Sequence, residues 1–127
     1  MPRKTATQAA IHWLDHVEDH DYPAAESYLR LLYEPREVKR LVLRLKASKI
    51  TQFKAKDIFR ASGLSLLGIS NLHVEKDRNK IVNGEGPSPL LLVRDARNGK
   101  VVIADGSHRL CAIYGFSEDI WIKCKIA

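Results

Sequence analysis

Residues 90–127 constrain the fold of this chain more than any other stretch. Two apolar runs, 90–94 and 100–104, flank the dipeptide Asn98-Gly99, which is typical of the tight turn of a β-hairpin. A helical run, 110–114, follows, and an alternating apolar run closes the stretch. The order predicts strand, strand, helix and strand, and the first strand is expected to be covered on both faces because it is apolar throughout.

Between the second predicted strand and the predicted helix lies a short polar turn. A glycine turn that opens a helix leaves backbone N–H groups without partners, and the helix dipole adds partial positive charge there. The side chains of His108 and Arg109 can add more, so the stretch predicts a binding site for phosphate or another anion. Its residues, called the 105–109 turn below, are Asp105, Gly106, Ser107, His108 and Arg109.

A second interpretation of the 105–109 turn stays open at this point. Asp105 and Ser107 are residue types that cap helices, and Arg109 can pair with Asp105 or with Glu118. Under the first interpretation, Asp105 could hold a metal ion on bound phosphates or orient His108, and Ser107 could act as a weak nucleophile or phosphate acceptor. The catalytic candidates are therefore Asp105, Ser107 and His108. The sequence shows no base that would activate Ser107, so whether the chain is an enzyme stays open.

The closing part of the chain resembles a known superfamily. The matching features are Pro89-Leu90, the paired strands, Gly106-Ser107-His108-Arg109 and the final Ile122-Lys123-Cys124-Lys125-Ile126. Together they resemble the ParB/sulfiredoxin-like superfamily, which includes partition proteins, sulfiredoxins and some small-molecule kinases. In the sulfiredoxins a Gly-Cys-His-Arg turn provides the nucleophilic cysteine and meets ATP phosphate. In the ParB proteins a related Gly-x-Arg-Arg turn holds nucleotide phosphates.

The resemblance implies a ligand and a set of contacts. Gly106, His108 and Arg109 match the phosphate-binding turn, whereas Ser107 stands at the cysteine position, which argues against sulfiredoxin chemistry. Lys80 is the nearest candidate for a lysine that approaches the phosphates in sulfiredoxins, and a solvated helix or loop is the alternative there. The implied ligands are ATP or CTP with Mg²⁺, or a phosphorylated small molecule, and the implied reactions are those of a phosphotransferase or nucleotidase. A complete partition protein is not expected, because the helices precede the superfamily-like segment and the chain stops at Ala127.

The predicted fold class is α+β, with a helical N-terminal part, residues 1–62, and a small mixed sheet in residues 63–127, together one compact unit. Apolar residues recur with helical spacing in the first part, and Pro23 and Pro35 suit the first turns of two helices. The predicted helices are residues 5–20, residues 23–32 with Tyr28, Leu29 and Leu32 buried, residues 35–46 with Val38, Leu41, Val42 and Leu45 buried, and a fourth that Thr51 caps and Gly63 ends.

Three short segments connect these helices to the hairpin. Residues 65–70 are predicted to be a loop or a single helical turn. Leu72-His73-Val74 is predicted to be a short strand. Residues 83–89 are rich in glycine, proline, asparagine and serine and are predicted to be irregular.

The net charge of +6 is concentrated in the middle of the chain, where residues 30–60 hold ten basic and three acidic residues. A localised basic face indicates a polyanion such as DNA, so a partition-like or nuclease-like DNA-associated module is an alternative function. A solvated helix face that pairs with acidic residues explains the same pattern. A third hypothesis is a non-catalytic interaction module that binds a partner or a second copy of itself. The candidate DNA contacts are Arg36, Lys39, Arg40 and Arg44.

Other features bound the class of protein. No apolar run approaches the length of a membrane span and no apolar signal core follows the basic N-terminus, so a cytoplasmic protein is expected. Cys111 and Cys124 lie at apolar periodic positions and are expected to be buried thiols. His12, His16 and His20 are spaced to share one helix face, but nothing completes a metal site with them, and a solvated polar face is expected.

Overall fold

The computed structural model of the protein describes residues 11–64 and 71–127. Across these residues it contains five α-helices and a four-stranded mixed sheet, which confirms the predicted α+β class with its helical N-terminal region. In chain order the elements are α1 (Asp21–Leu29), α2 (Pro35–Ala47), β1 (Thr51–Lys54), α3 (Ala55–Ser62), α4 (Leu72–Val82), β2 (Leu90–Asp95), β3 (Lys100–Asp105), α5 (Ser107–Tyr114) and β4 (Trp121–Ile126).

The sheet has the strand order β1-β4-β2-β3. Strands β2 and β3 form the predicted antiparallel hairpin, whose turn is a short 3₁₀ segment, Ala96–Asn98, followed by Gly99 at φ +63°. Strand β4 lies parallel to β2 and antiparallel to β1. The sheet therefore places β2 in its interior and leaves β3 at one edge.

Strand β2 is buried on both faces, as its apolar sequence predicts. Leu90 and Leu92 belong to one apolar cluster, in which residues of α3, α4 and α5 pack. Leu91 and Val93 point the other way into a second cluster, in which residues of α1 and α2 pack. Each of these four side chains is at most 1% exposed, and burial of such a side chain is worth about 2 kcal/mol.

Helices α1 and α2 follow the two prolines that predicted them. In α2 the predicted stripe of Val38, Leu41, Val42 and Leu45 is buried, which confirms it. Helix α1 ends at Leu29, which is buried, but the predicted burial of Tyr28 and Leu32 is wrong, since they are 42% and 49% exposed. The reason is that Leu32 lies beyond the helix end, and Tyr28 lies beside the buried row that runs through Ala25 to Leu29.

The predicted helix 5–20 is wrong over its described part, because residues 11–20 form no helix; residues 1–10 lie outside the described residues. This segment instead lies against the loop 83–89. The Leu14 N–H donates to the Pro87 carbonyl at 3.0 Å, and a Cβ on Gly86 would overlap the His12 carbonyl oxygen. Contacts with a loop far along the chain therefore override the local periodicity, and the three histidines do not share a helix face.

Two other local predictions are wrong, one because of a distant strand and one because of a local helix cap. Thr51 does not cap a helix, because residues 51–54 pair with β4; the helix starts one residue after this strand and ends at Gly63 as predicted. The segment 72–74 is not a strand but the first turn of α4. The side chain of Asn71 accepts hydrogen bonds from the N–H groups of His73 and Val74 at 3.0 and 3.3 Å, which caps this helix.

Further predictions concern the loops, the cysteines and membrane-spanning helices. Residues 83–89 contain no helix or strand, as predicted, while the predicted loop or turn at 65–70 lies outside the described residues. Cys111 and Cys124 are buried thiols that form no disulfide, and burial raises the pKa of Cys124 to about 12. No helix in the described ranges is both long and apolar enough to cross a membrane.

Candidate functional site

The 105–109 turn joins β3 to α5 through a glycine that no other residue could replace without strain. Gly106 has φ +106°, and a Cβ at this position would lie 2.7 Å from Leu90 Cγ and 2.8 Å from Arg109 Nη2. The Leu110 N–H donates to the Gly106 carbonyl at 2.9 Å, which is the first hydrogen bond of α5. The N–H groups of Ser107, His108 and Arg109 precede this bond and have no acceptor within the helix.

Arg109 is the centre of a partly buried ion network. Its side chain is 18% exposed, and its Nη2 lies 3.1 Å from Asp105 Oδ2 and 3.7 Å from Asp21 Oδ2. The pairing of Arg109 with Asp105 that the second interpretation predicted is therefore present, while Glu118 instead accepts a hydrogen bond from Tyr114 at 3.3 Å. The Nε atom of Arg109 is buried and makes no hydrogen bond within the described residues.

Asp21 is a site residue that the sequence reasoning missed. Its side chain is 3% exposed, and Oδ2 accepts a hydrogen bond from Ser88 Oγ at 2.6 Å. Ser88 Oγ in turn accepts a hydrogen bond from the Glu18 N–H at 3.1 Å. Asp21 therefore ties the N-terminal segment and the loop 83–89 to Arg109. In the sequence it stands in an ordinary Asp-Tyr-Pro helix start, and no local pattern distinguishes it.

Two carboxylates share the single guanidinium of Arg109. Burial raises the pKa of Asp105 above its ordinary value, the Asp21 carboxylate raises this pKa further, and the Arg109 guanidinium opposes both effects. The raised pKa means that burial and the second carboxylate outweigh the attraction of the guanidinium. When all three groups are ionised their combined charge is negative, so the two carboxylates more than offset the positive charge of Arg109.

All five residues of the 105–109 turn line one cavity of about 450 Å³. The rest of its described wall comes from α1, from α4, from the end of β3 and from Leu64, which follows α3. The ring of His108 lies 4.9 Å from the ring of His73 on α4, with 35° between the planes. The other lining residues are Ala24, Tyr28, Leu64, Asp77, Ile103 and Ala104.

Lys80 does not line this cavity, although the resemblance placed it at the phosphates. It lines a smaller cavity of about 140 Å³ together with Asp77 and Arg109. Asp77 and Arg109 also line the larger cavity, so they form the wall between the two. Lys80 therefore lies behind Arg109 and is exposed to solvent.

The side chains around the turn can be examined for groups that could bind a metal ion. Within residues 11–64 and 71–127, no group of three or more histidine, cysteine, aspartate or glutamate side chains is placed to hold a metal ion. Asp77 and Asp105 do line the same cavity. A Mg²⁺ ion carried by a nucleotide takes one or two protein carboxylates and keeps phosphate and water ligands, so the carboxylates at this cavity are of the type that such an ion uses.

The basic residues of α2 do not line either of the two cavities at Arg109. Arg36, Lys39, Arg40 and Arg44 are exposed, opposite the buried stripe of the helix. Arg40 pairs with Glu37 at 2.8 Å, and the other three make no ion pair with any described residue. These four side chains, called the α2 basic face below, are therefore accessible to a partner.

The chain was compared with known proteins in three ways. It matches no protein-family model, no curated protein and no solved structure. The ParB/sulfiredoxin-like assignment accordingly stays a prediction that rests on the residues of the 105–109 turn and the order of the elements around it.

Proposed function

We propose that the protein binds a nucleotide or another phosphate ligand at the 105–109 turn. The observation that carries this proposal is that Ser107, His108 and Arg109 all line a cavity of about 450 Å³, while their N–H groups have no acceptor among the described residues. Phosphate oxygens accept hydrogen bonds from such N–H groups, and the positive end of the helix dipole favours the negative charge.

Each residue of the turn has a definite role in this proposal. Gly106 lets the backbone turn tightly, Ser107 and His108 provide N–H groups and side-chain donors, and Arg109 provides charge at the back of the cavity. Asp105, with Asp77, would face a Mg²⁺ ion carried by the ligand. Lys80 would act only at longer range, through the neighbouring cavity. Asp105, Ser107 and His108 remain the candidates for a phosphotransferase or nucleotidase reaction.

The carboxylates around Arg109 repel an anionic ligand and so affect how strongly it binds. A bare anion meets the negative charge of Asp21 and Asp105 as well as the positive charge of Arg109. A ligand that brings Mg²⁺ with its phosphates avoids part of this repulsion, because the ion offsets the carboxylate charge. We therefore expect nucleotide binding to be stronger with Mg²⁺ than without it.

A thermal-shift series tests the proposal. ATP, ADP, CTP and GTP are each added with and without Mg²⁺ to the wild type, to Arg109→Ala and to Asp21→Asn. A ligand that binds only the folded state raises its melting temperature, and at a hundred times its Kd it adds about 2.7 kcal/mol. Asp21→Asn is the matched control, because it disturbs the same ion network without removing a phosphate contact.

We expect a shift in the wild type and in Asp21→Asn that is absent in Arg109→Ala. Such a result separates loss of a phosphate contact from general damage to the network. If no nucleotide shifts the melting temperature of the wild type, with or without Mg²⁺, the proposal is wrong. The turn then only starts α5, where no side chain caps the helix and Arg109 pairs with Asp105 and Asp21.

DNA binding through the α2 basic face is the second candidate. The observation that favours it is that three of its four cations have no acidic partner among the described residues. This candidate predicts that the affinity for duplex DNA falls steeply with salt, with a slope of about −0.9 in log K against log salt for each phosphate neutralised. Fluorescence anisotropy of a labelled duplex over a salt series measures that slope.

A further inference from the structure

The cavity at the 105–109 turn continues along the outer edge of β3. A second cavity of about 520 Å³ lies beside the beginning of this strand, and it shares three lining residues with the cavity at the turn. These shared residues are Tyr28, Leu64 and Ile103. Because β3 is the last strand of the sheet, the two cavities form one cleft that runs from α5 along the sheet edge.

The two ends of this cleft differ in chemistry. At the turn the lining is ionic, with Asp77, Asp105, His108 and Arg109. Next to it the wall contains Tyr28 and Leu64, which are 42% and 45% exposed. Both residues line both cavities, so their exposed surface is available to a ligand in the cleft. A ligand that matches both ends has a charged group and an apolar or aromatic group.

The size of the cleft leads to the same conclusion. Cavities of roughly 300–1,000 Å³ accommodate organic ligands and cofactors, whereas a phosphate ion alone fills only a small part of such a space. The cavity at the turn, at about 450 Å³, lies within that range before the rest of the cleft is counted. Tyr28 lines both parts of the cleft, and its side chain is an aromatic surface of the kind that packs with a second aromatic ring.

We infer that the phosphate ligand of the 105–109 turn carries an aromatic group of nucleoside size, and that this group lies against Tyr28 and Leu64 at the edge of β3. The inference rests on the proposed phosphate site and narrows its ligand from any phosphate compound to a nucleotide. In this proposal the residues of the turn bind the phosphate group, and Tyr28 provides the selectivity among phosphate compounds.

Calorimetric titration with two probes tests this inference. The probes are tripolyphosphate and CTP or ATP, all with Mg²⁺, titrated into the wild type, Tyr28→Ala, Tyr28→Phe and Leu31→Ala. Leu31→Ala is the matched control, because Leu31 is 80% exposed just after α1 and lines neither part of the cleft. Melting temperatures of the variants establish that each one is folded.

We expect the wild type to bind at least one nucleotide about tenfold or more tightly than tripolyphosphate, since stacking of a base on an aromatic side chain contributes that much. Tyr28→Ala should remove this advantage and leave the affinity for tripolyphosphate unchanged. Tyr28→Phe, which keeps the ring, should retain it, and Leu31→Ala should behave as the wild type does.

The two proposals fail in different ways. If tripolyphosphate and the nucleotides bind equally well and Tyr28→Ala changes neither affinity, the aromatic subsite is overturned while the phosphate site stands. If neither probe binds to the wild type, the phosphate site itself is wrong and the subsite is wrong with it. Loss of affinity for both probes in Tyr28→Ala also contradicts the subsite, because it shows a general effect on the fold.

Discussion

The 105–109 turn and the α2 basic face hold positive charge in opposite ways. At the turn, Arg109 is mostly buried and lies 3.1 and 3.7 Å from the oxygens of two carboxylates. On α2, four cations are exposed, and only Arg40 has a described acidic partner. A count of basic residues in the sequence gives no sign of this difference. What decides it is burial together with carboxylates that come from distant parts of the chain.

The contrast has consequences for both stability and binding. A buried ion network adds little net stability when complete, but it is costly when one member is removed, because the remaining charges stay buried without compensation. Exposed cations contribute little in either case, since water and salt screen them. The turn is therefore expected to be sensitive to substitution and selective in what it binds, and the α2 basic face to be tolerant and less selective.

The largest effect is expected from Arg109→Ala. This change leaves Asp21, 3% exposed, and Asp105 facing each other without the guanidinium. We expect the free energy of unfolding to fall by about 3 kcal/mol, as it does when one partner of a buried ion pair is removed. Urea denaturation at neutral pH measures this change.

The double variant Arg109→Ala with Asp21→Asn is the control for that prediction. It removes one of the two stranded negative charges, so it should recover part of the stability lost in Arg109→Ala. Asp21→Asn alone is measured as well. If the losses in free energy of unfolding of the two single variants simply add in the double variant, Arg109 and Asp21 act independently and the ion network does not couple them.

A smaller loss is expected from Gly106→Ala, which tests the backbone of the turn rather than its charge. Gly106 has φ +106° and a Cβ there would contact Leu90 Cγ and Arg109 Nη2, so strain and overlap add together. We expect a loss of about 2 kcal/mol in urea denaturation. Gly99→Ala is the matched control: Gly99 has φ +63° with no atom within 4 Å of an added Cβ, so only backbone strain applies. Equal losses in the two variants would contradict the close packing at the turn.

The pH dependence of stability tests the electrostatic environment of Asp105 while Arg109 is kept in place. The folded pKa of Asp105 lies above its ordinary value, so the folded state holds this proton more tightly than the unfolded state does. Its contribution to the free energy of unfolding is therefore present below the ordinary pKa of 3.8 and is lost as pH rises through the raised folded pKa. The free energy of unfolding of the wild type minus that of Asp105→Asn should therefore fall as pH rises from the ordinary pKa of 3.8 to the raised folded pKa of Asp105. Urea denaturation at a series of pH values measures this difference.

Asp119 provides a control of opposite sign. A hydrogen bond from Lys56, at 2.7 Å, lowers the pKa of this exposed carboxyl, so its contribution is present above the ordinary pKa and lost as pH falls. The stability of the wild type minus that of Asp119→Asn should therefore rise with pH between the lowered folded pKa of Asp119 and its ordinary value of 3.8, which is below the interval for Asp105. A rise with pH for Asp105 as well would show that the attraction of Arg109 exceeds the cost of burial.

Local sequence patterns predicted well those elements whose local preference agrees with their surroundings. The hairpin around Asn98-Gly99 and the strand that ends the chain lie within a residue or so of their predicted bounds. The predicted helix after Gly106 is present, but it begins at Ser107, three residues before the predicted run 110–114. Helix α2 was predicted from an apolar stripe that the structure buries. In each of these stretches the turn residues, the apolar period and the tertiary contacts favour the same conformation.

The failures occurred where distant contacts decide the conformation. Residues 11–20 have a helical apolar period but hydrogen-bond to the loop 83–89 instead, and nothing near Leu14 in the sequence indicates Pro87 as its partner. The same reason hid Asp21, whose partners Ser88 and Arg109 lie far along the chain. Asn71 was different, because an asparagine before a helical run is a recognisable cap that could have identified α4.

The smallest effect on stability is expected when the α2 basic face is neutralised. We expect the substitution of Arg36, Lys39, Arg40 and Arg44 by glutamine to change the free energy of unfolding by only about 0.5 kcal/mol per site or less, because these side chains are exposed.

If this face binds DNA, the slope of log K against log salt should become less negative by roughly 3 to 4, since each phosphate contact contributes about 0.9. A second quadruple variant, in which glutamine replaces the exposed residues Lys76, Arg94, Arg97 and Lys100, removes the same charge elsewhere. Equal changes of slope in the two variants would mean that net charge alone attracts DNA, and that the α2 basic face is a solvated surface.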